Sequence, residues 1–238
     1  MAVLELNALS TALSGSFSAT VFFPDQPAME DQKYPALYFL HDIGGNHTDL
    51  RTVKNLEALV NELGLFVISP SVMHSFGMDL PWGGKYSDFV SRELPGICRH
   101  LFPLDAEKQF VGGCGGGAYG AYWNAANHAG AFSKCMLVNG RYDVAALCEA
   151  AAGGAEIPHL TVPNLQAVFG DLKAVRKSGY DVLCPENPAA KEVFFGCGED
   201  FAAAGDSVAF AKQLKTPVYM GANEEAVFDA GLRWLCKG

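Results

Sequence analysis

The residues with the most chemical meaning in this chain are five near its middle, Gly113-Cys114-Gly115-Gly116-Gly117. Gln109 to Gly113 reads as a short buried strand, and Ala118 to Ala126 as the helix that follows. A strand, a tight glycine turn and a helix make the elbow on which a serine is presented for acyl transfer. Its hydroxyl is exposed, and the next backbone N–H faces the developing oxyanion. The serine belongs at the centre of that turn, and the centre is Gly115. Cys114 lies one residue too early, where the strand directs its side chain to the opposite side, so a buried and unreactive thiol is expected. Ser16, Ser18, Ser133 and Ser207 have no elbow context, and Ser87 and Ser91 read as solvent or packing residues on a helix face.

The elements that would position such a site alternate regularly. Residues 2–9 and 15–23 flank Ser14-Gly15 as an antiparallel pair. Tyr34 to Leu40 is a near-continuous apolar run, suited to a strand buried on both faces. Thr48 is the expected N-cap of a helix to about Leu63. Further strands are expected at Leu65 to Pro70, Lys108 to Val111, Cys135 to Asn139, Val193 to Cys197 and Pro217 to Met220. Helices are expected from Tyr86 to about Leu101, broken near Pro95, from Ser207 to Leu214 and from Glu224 to Cys236. This alternation predicts an α/β fold, a mostly parallel sheet covered on both faces, with its site along the carboxyl edge. Residues 143–190, with Pro163, Pro185 and Pro188, interrupt the rhythm and read as a cap insertion or as a crossover helix with long loops.

With these blocks in place the chain resembles the putative esterase family of α/β-hydrolases, which includes tributyrin esterase and, more distantly, esterase D and feruloyl esterase domains. The resemblance runs through Tyr34 to Thr48, Trp82-Gly83-Gly84-Lys85-Tyr86, Glu93-Leu94-Pro95, the glycine turn and Gly198-Glu199-Asp200-Phe201. It implies an α/β-hydrolase fold in one domain, residues 1–238, and hydrolysis of short acyl esters by a Ser-Asp-His triad. It makes Asp200 the triad acid, and makes the N–H groups of Ile43 and Gly116 the oxyanion donors. His41, Asp42, His74 and Trp82 are expected on the substrate side, with His159 as a further lining residue from the cap. Asp42 stands where the family has glycine, and a carboxylate there opposes the charge of an oxyanion unless it points away. Asn223, in Met220-Gly221-Ala222-Asn223-Glu224-Glu225, takes the histidine's position. In this fold the order is serine, acid, histidine, and the last histidine of the chain is His159. The resemblance thus implies an esterase scaffold without nucleophile or base.

Composition agrees with an enzyme or enzyme relative. Half of the 238 residues are hydrophobic and 11% aromatic, enough for a sizeable core, and the net charge is −9 with no basic stripe, which argues against nucleic-acid binding. The seven cysteines form no C-x-x-C pair or metal-ligand spacing and are expected to be reduced. The first residues lack the basic start of a signal peptide, and no apolar stretch of about 18 residues occurs, so a cytoplasmic location without membrane contact is expected. No cofactor and no metal are expected; the expected partner is a small ester or acyl ligand. Two rivals stand beside a hydrolytically impaired pseudo-esterase: a working hydrolase using other residues, such as a water activated by Asp200 or Glu199, and a non-catalytic structural subunit.

Overall fold

The computed structural model describes residues 1–26, 29–184, 186–201 and 204–237, so Pro185 lies outside the described residues. Eight strands form one sheet, in the order β1 (Ala2–Ser10), β2 (Gly15–Phe23), β4 (Phe66–Pro70), β3 (Tyr34–Leu40), β5 (Leu104–Cys114), β6 (Lys134–Val138), β7 (Val193–Gly198), β8 (Val218–Gly221). The β1–β2 and β2–β4 pairs are antiparallel, and every other pair is parallel. Among the described residues no helix is long and apolar enough to cross a membrane.

The central strands are apolar throughout because each of their faces is covered. In β3, Ala36, Tyr38 and Leu40 join one core cluster while Leu37 and Phe39 join the other. In β6, Cys135 and Leu137 face the first cluster, and Met136 and Val138 the second. The first layer is completed by α4 (Gly116–Asn127), through Ala118, Tyr119, Ala121 and Tyr122. The second is completed by α1 (Leu56–Leu63) and by α8 (Glu224–Cys236), through Val227, Phe228, Leu232 and Leu235. Full burial of one such side chain stabilises the fold by about 1.5–3 kcal/mol.

Two expected helices differ in detail. Thr48 precedes a single 3₁₀ turn, Asp49–Thr52, and makes no side-chain cap bond; the chain then turns extended at Val53 before α1 begins. The predicted helix over Tyr86 to Leu101 does form, as α2 (Tyr86–Asp88), a π turn (Phe89–Glu93) and α3 (Leu94–Leu101). Pro95 has no N–H to offer a carbonyl one turn back, and the wider π turn just before it accommodates that gap. Ser87 and Ser91 are buried rather than solvent-facing, and both hydroxyls donate to Asn124 Oδ1, at 2.7 and 3.0 Å. Ser87 Oγ also lies 2.7 Å from His128 Nε2, tying α2 to the far end of α4.

Residues 143–190 contain α5 (Val144–Ala152), α6 (Val162–Phe169) and a 3₁₀ turn (Val175–Lys177). Phe169 packs on Phe76 and Tyr119, and the Tyr119 hydroxyl donates to Tyr180 O at 2.8 Å. Helix α7 (Ala204–Gln213) joins the first layer through Phe210 and Ala211, on the face opposite α8.

Candidate active site

The carboxyl ends of β3, β5, β6, β7 and β8 reach one edge of the sheet, and every expected triad and oxyanion position lies there. The turn after β5 keeps the elbow's shape. Gly115 sits at φ +54°, ψ −119°, with its N–H donating to Val138 O and its carbonyl accepting from Arg141 N–H, both at 3.2 Å. Helix α4 approaches so closely that a Cβ on Gly117 would overlap the carbonyls of Leu40 and His41, and one on Gly120 would overlap the carbonyl of Phe76.

The space above Gly115 is occupied. A Cβ on Gly115 would overlap Asp42 Oδ1, Oδ2 and Cγ, so the Asp42 carboxylate fills the volume that a serine side chain would need. Asp42 Oδ1 accepts hydrogen bonds from Ile43 N–H and from Gly116 N–H, each at 2.7 Å. Those are the two donors expected to form the oxyanion hole. The carboxylate therefore points toward the elbow and occupies both of these donors. Gly116 opens α4, where unpaired N–H groups and the helix dipole favour a negative charge, so the pairing is electrostatically matched. On the far side of the hole, only about 10 Å³ remains between His41, Ile43, His74, Phe76 and their neighbours.

His41 holds the loop rather than a ligand. Its Nε2 accepts from Val72 N–H at 3.0 Å, so the proton of the neutral ring sits on Nδ1, which donates to the Asp42 carbonyl at 2.8 Å. Burial disfavours the imidazolium and lowers the pKa of His41. The exposed His74 borders the small residual space. Trp82 is 99% exposed and lines none of the cavities next to the elbow. His159 lies against the oxyanion loop, within contact of the Cβ position of Gly44.

The acid and histidine positions are arranged differently. Asp200 is exposed and folds back over Gly198. Asn223 turns away from the elbow and caps α8, its Oδ1 accepting from Ala226 N–H at 2.9 Å. The next residue takes the inward place. Glu224 Oε2 accepts from Asn139 Nδ2 at 2.8 Å, while Asn139 Oδ1 accepts from Gly198 N–H at 2.9 Å. Asn139 is buried at positive φ (+47°), so it links the ends of β6 and β7 to α8 and fixes Glu224. Sequence reasoning overlooked both residues. No local signal marks Glu224, whose inward place rests on a hydrogen bond to a residue 85 positions away.

Asp42, Glu224 and Cys114 line one cavity of about 360 Å³, with Phe39, Leu50, Val53 and Phe228 as its apolar floor and with Asp49, Glu225 and the cation Lys54 also on its wall. Burial pushes the Cys114 thiol far above its ordinary range, so it is not the nucleophile. A second cavity, about 190 Å³, lies on the other side of Ile43 and Phe76, next to α5 and Arg141.

The sequence model of the family described as Putative esterase matches residues 10–220. An acetyl esterase of Caldicellulosiruptor saccharolyticus is 27% identical over 222 residues, covering 84% of this chain and 81% of that protein. The fluorophosphonate-binding serine hydrolase F of Staphylococcus aureus superposes with a TM-score of 0.82 at 19% identity, covering 100% of this chain and 99% of the other. An S-formylglutathione hydrolase of the same organism gives 0.77 at 20% identity, covering 99% of each chain. The fold is that of the α/β-hydrolases.

Proposed function

The chain belongs to the putative esterase family, and from that premise we propose that it is a carboxylesterase relative that no longer hydrolyses esters and holds a small acyl ligand. The observation that carries this reading is the Asp42 carboxylate on both oxyanion donors, in the volume of the absent serine. An ester carbonyl cannot enter an oxyanion hole already filled by an anion, and Gly115 has nothing with which to attack it. Without nucleophile and base, a triad hydrolase keeps roughly 10³–10⁴-fold over water from its oxyanion hole and binding; here the hole itself is taken. The open cavity of about 360 Å³ beside Asp42 supports ligand binding over a purely structural role. In this reading residues 143–190 act as the cap, which His159 against Gly44 and Phe169 against Phe76 support.

The test is hydrolysis of p-nitrophenyl butyrate by the wild type and by the triple variant Asp42→Gly, Gly115→Ser, Asn223→His. The wild type is expected at background and the triple variant above it. Strong wild-type turnover overturns the proposal.

A further inference from the structure

The same carboxylate is arranged to attack a different kind of carbon. A nucleophilic carboxylate needs one oxygen free to form a bond and a place for the charge of its other oxygen when the resulting ester is later hydrolysed. Asp42 has both. Oδ1 is held by Ile43 N–H and Gly116 N–H at 2.7 Å each, and among the described residues Oδ2 has no hydrogen-bond partner. Asp42 lines the cavity of about 360 Å³, whose floor is apolar and whose wall carries Asp49, Lys54, Glu225 and Glu224, the last fixed by Asn139. We propose that Asp42 is a covalent nucleophile toward small alkyl electrophiles with an anionic leaving group, such as primary alkyl halides, and that Glu224 is the base that releases the product.

The chemistry balances. Asp42 Oδ2 attacks the sp³ carbon opposite its halide; the O–C bond forms, the C–halogen bond breaks, and halide leaves with the bonding pair into solvent. A water molecule then gives a proton to Glu224 and attacks Asp42 Cγ, which places negative charge on Oδ1, where the two N–H donors already point. Collapse breaks the Cγ–Oδ2 bond, and the alkoxide recovers the proton from Glu224 and departs as an alcohol. The restored carboxylic acid of Asp42 sheds the second water proton. Overall, alkyl halide and water become alcohol, halide and a proton. Oδ2 leaves with the alcohol, so the water's oxygen stays in Asp42. An oxyanion hole that an ester cannot enter is thus the right one for an ester formed on Asp42 itself. Each such donor is worth about 10²–10³ in rate where it has been removed from other enzymes.

The test uses 1-bromohexane with the whole chain. The wild type is expected to release bromide and hexanol, and in ¹⁸O-water to carry label in Asp42 after the first turnover. Glu224→Gln is expected to stop at a single hexyl group on Asp42, released by hydroxylamine as an ester is. Asp42→Asn keeps an oxygen for both N–H donors, so it preserves the fold, and is expected to lose both bromide release and the adduct. Absence of bromide release and adduct in wild type and Glu224→Gln overturns the proposal, as does an adduct that survives in Asp42→Asn as a hydroxylamine-resistant thioether on Cys114. Neither result bears on the butyrate assay, which tests ester hydrolysis separately.

Discussion

The middle of the sheet and its β7–β8 edge arrange the side chains at their carboxyl ends in opposite ways. At the middle, the ends of β3 and β5 keep the geometry of the elbow to the last turn, and a neighbouring side chain, Asp42, takes over the empty volume and both donors. At the edge, the side chains turn to local duties: Asn223 caps α8, Asp200 lies exposed, and Glu224 enters in their stead. The difference follows from packing. The start of α4 is wedged against backbone at Gly117 and Gly120, which limits how far it can relax, and two N–H groups aimed at one point demand an acceptor. The turn after β8 ends on a surface helix, where an asparagine gains more from capping than from facing inward.

The contrast can be broken with glycines. Alanine at Gly117 or Gly120 puts a Cβ into backbone carbonyls and should destabilise by about 3 kcal/mol or more. Alanine at Gly205, in α7 near the edge, meets nothing within 4 Å and should be neutral or stabilise by up to about 1 kcal/mol. Denaturant midpoints that shift equally at the two places would remove the contrast. Next in size, Gly115→Ser alone should destabilise by about 2–3 kcal/mol, from overlap with Asp42 and from a strained φ. Adding Asp42→Gly should return most of the overlap part, so the pair should be non-additive by more than about 0.5 kcal/mol; additive effects would show that Asp42 does not occupy the serine's space.

The edge should respond more mildly. Asn223→Ala removes a cap and should destabilise by about 1 kcal/mol, while Asn223→Asp or Asn223→Ser should retain most of it; a loss as large as that of Gly117→Ala would mean that Asn223 does more than cap. The smallest effect is on pH. His41 stays neutral in the fold because burial lowers its pKa, whereas the unfolded chain protonates it near its ordinary 6.5. Below that pH the unfolded state binds more protons, so stability is fully present above about 6.5 and declines beneath it as pH falls toward the lowered folded value. His128, also lowered by burial, acts in the same sense. A Tm series from pH 7.5 to 5.5 should slope less steeply in His41→Asn than in wild type, and identical slopes would exclude His41 as a contributor.

The strands were legible because their apolar runs are long and buried on two sides; Tyr34 to Leu40 reads correctly from composition alone. The elbow was legible because glycines at such spacing after a strand have few other uses. Less legible were the details set by backbone hydrogen bonding, such as the 3₁₀ turn after Thr48 and the π turn before Pro95. The direction of the Asp42 side chain could not be read at all. Sequence shows a carboxylate where charge should repel; only the geometry of two converging N–H groups shows that the carboxylate is itself the charge they bind. Glu224 and Asn139 escaped for the same reason, since their meaning lies in a contact between residues 85 positions apart.

Gly115 carries one more consequence. A serine held at φ +54°, ψ −119° stores about 1–3 kcal/mol of backbone strain, which an active hydrolase tolerates for the sake of an exposed hydroxyl. Glycine adopts the same angles without a side chain to object, giving up only the entropy of its freer unfolded chain. This elbow is therefore a spring left unwound: with glycine at its centre, the fold keeps the stability that a strained side chain there would draw from it.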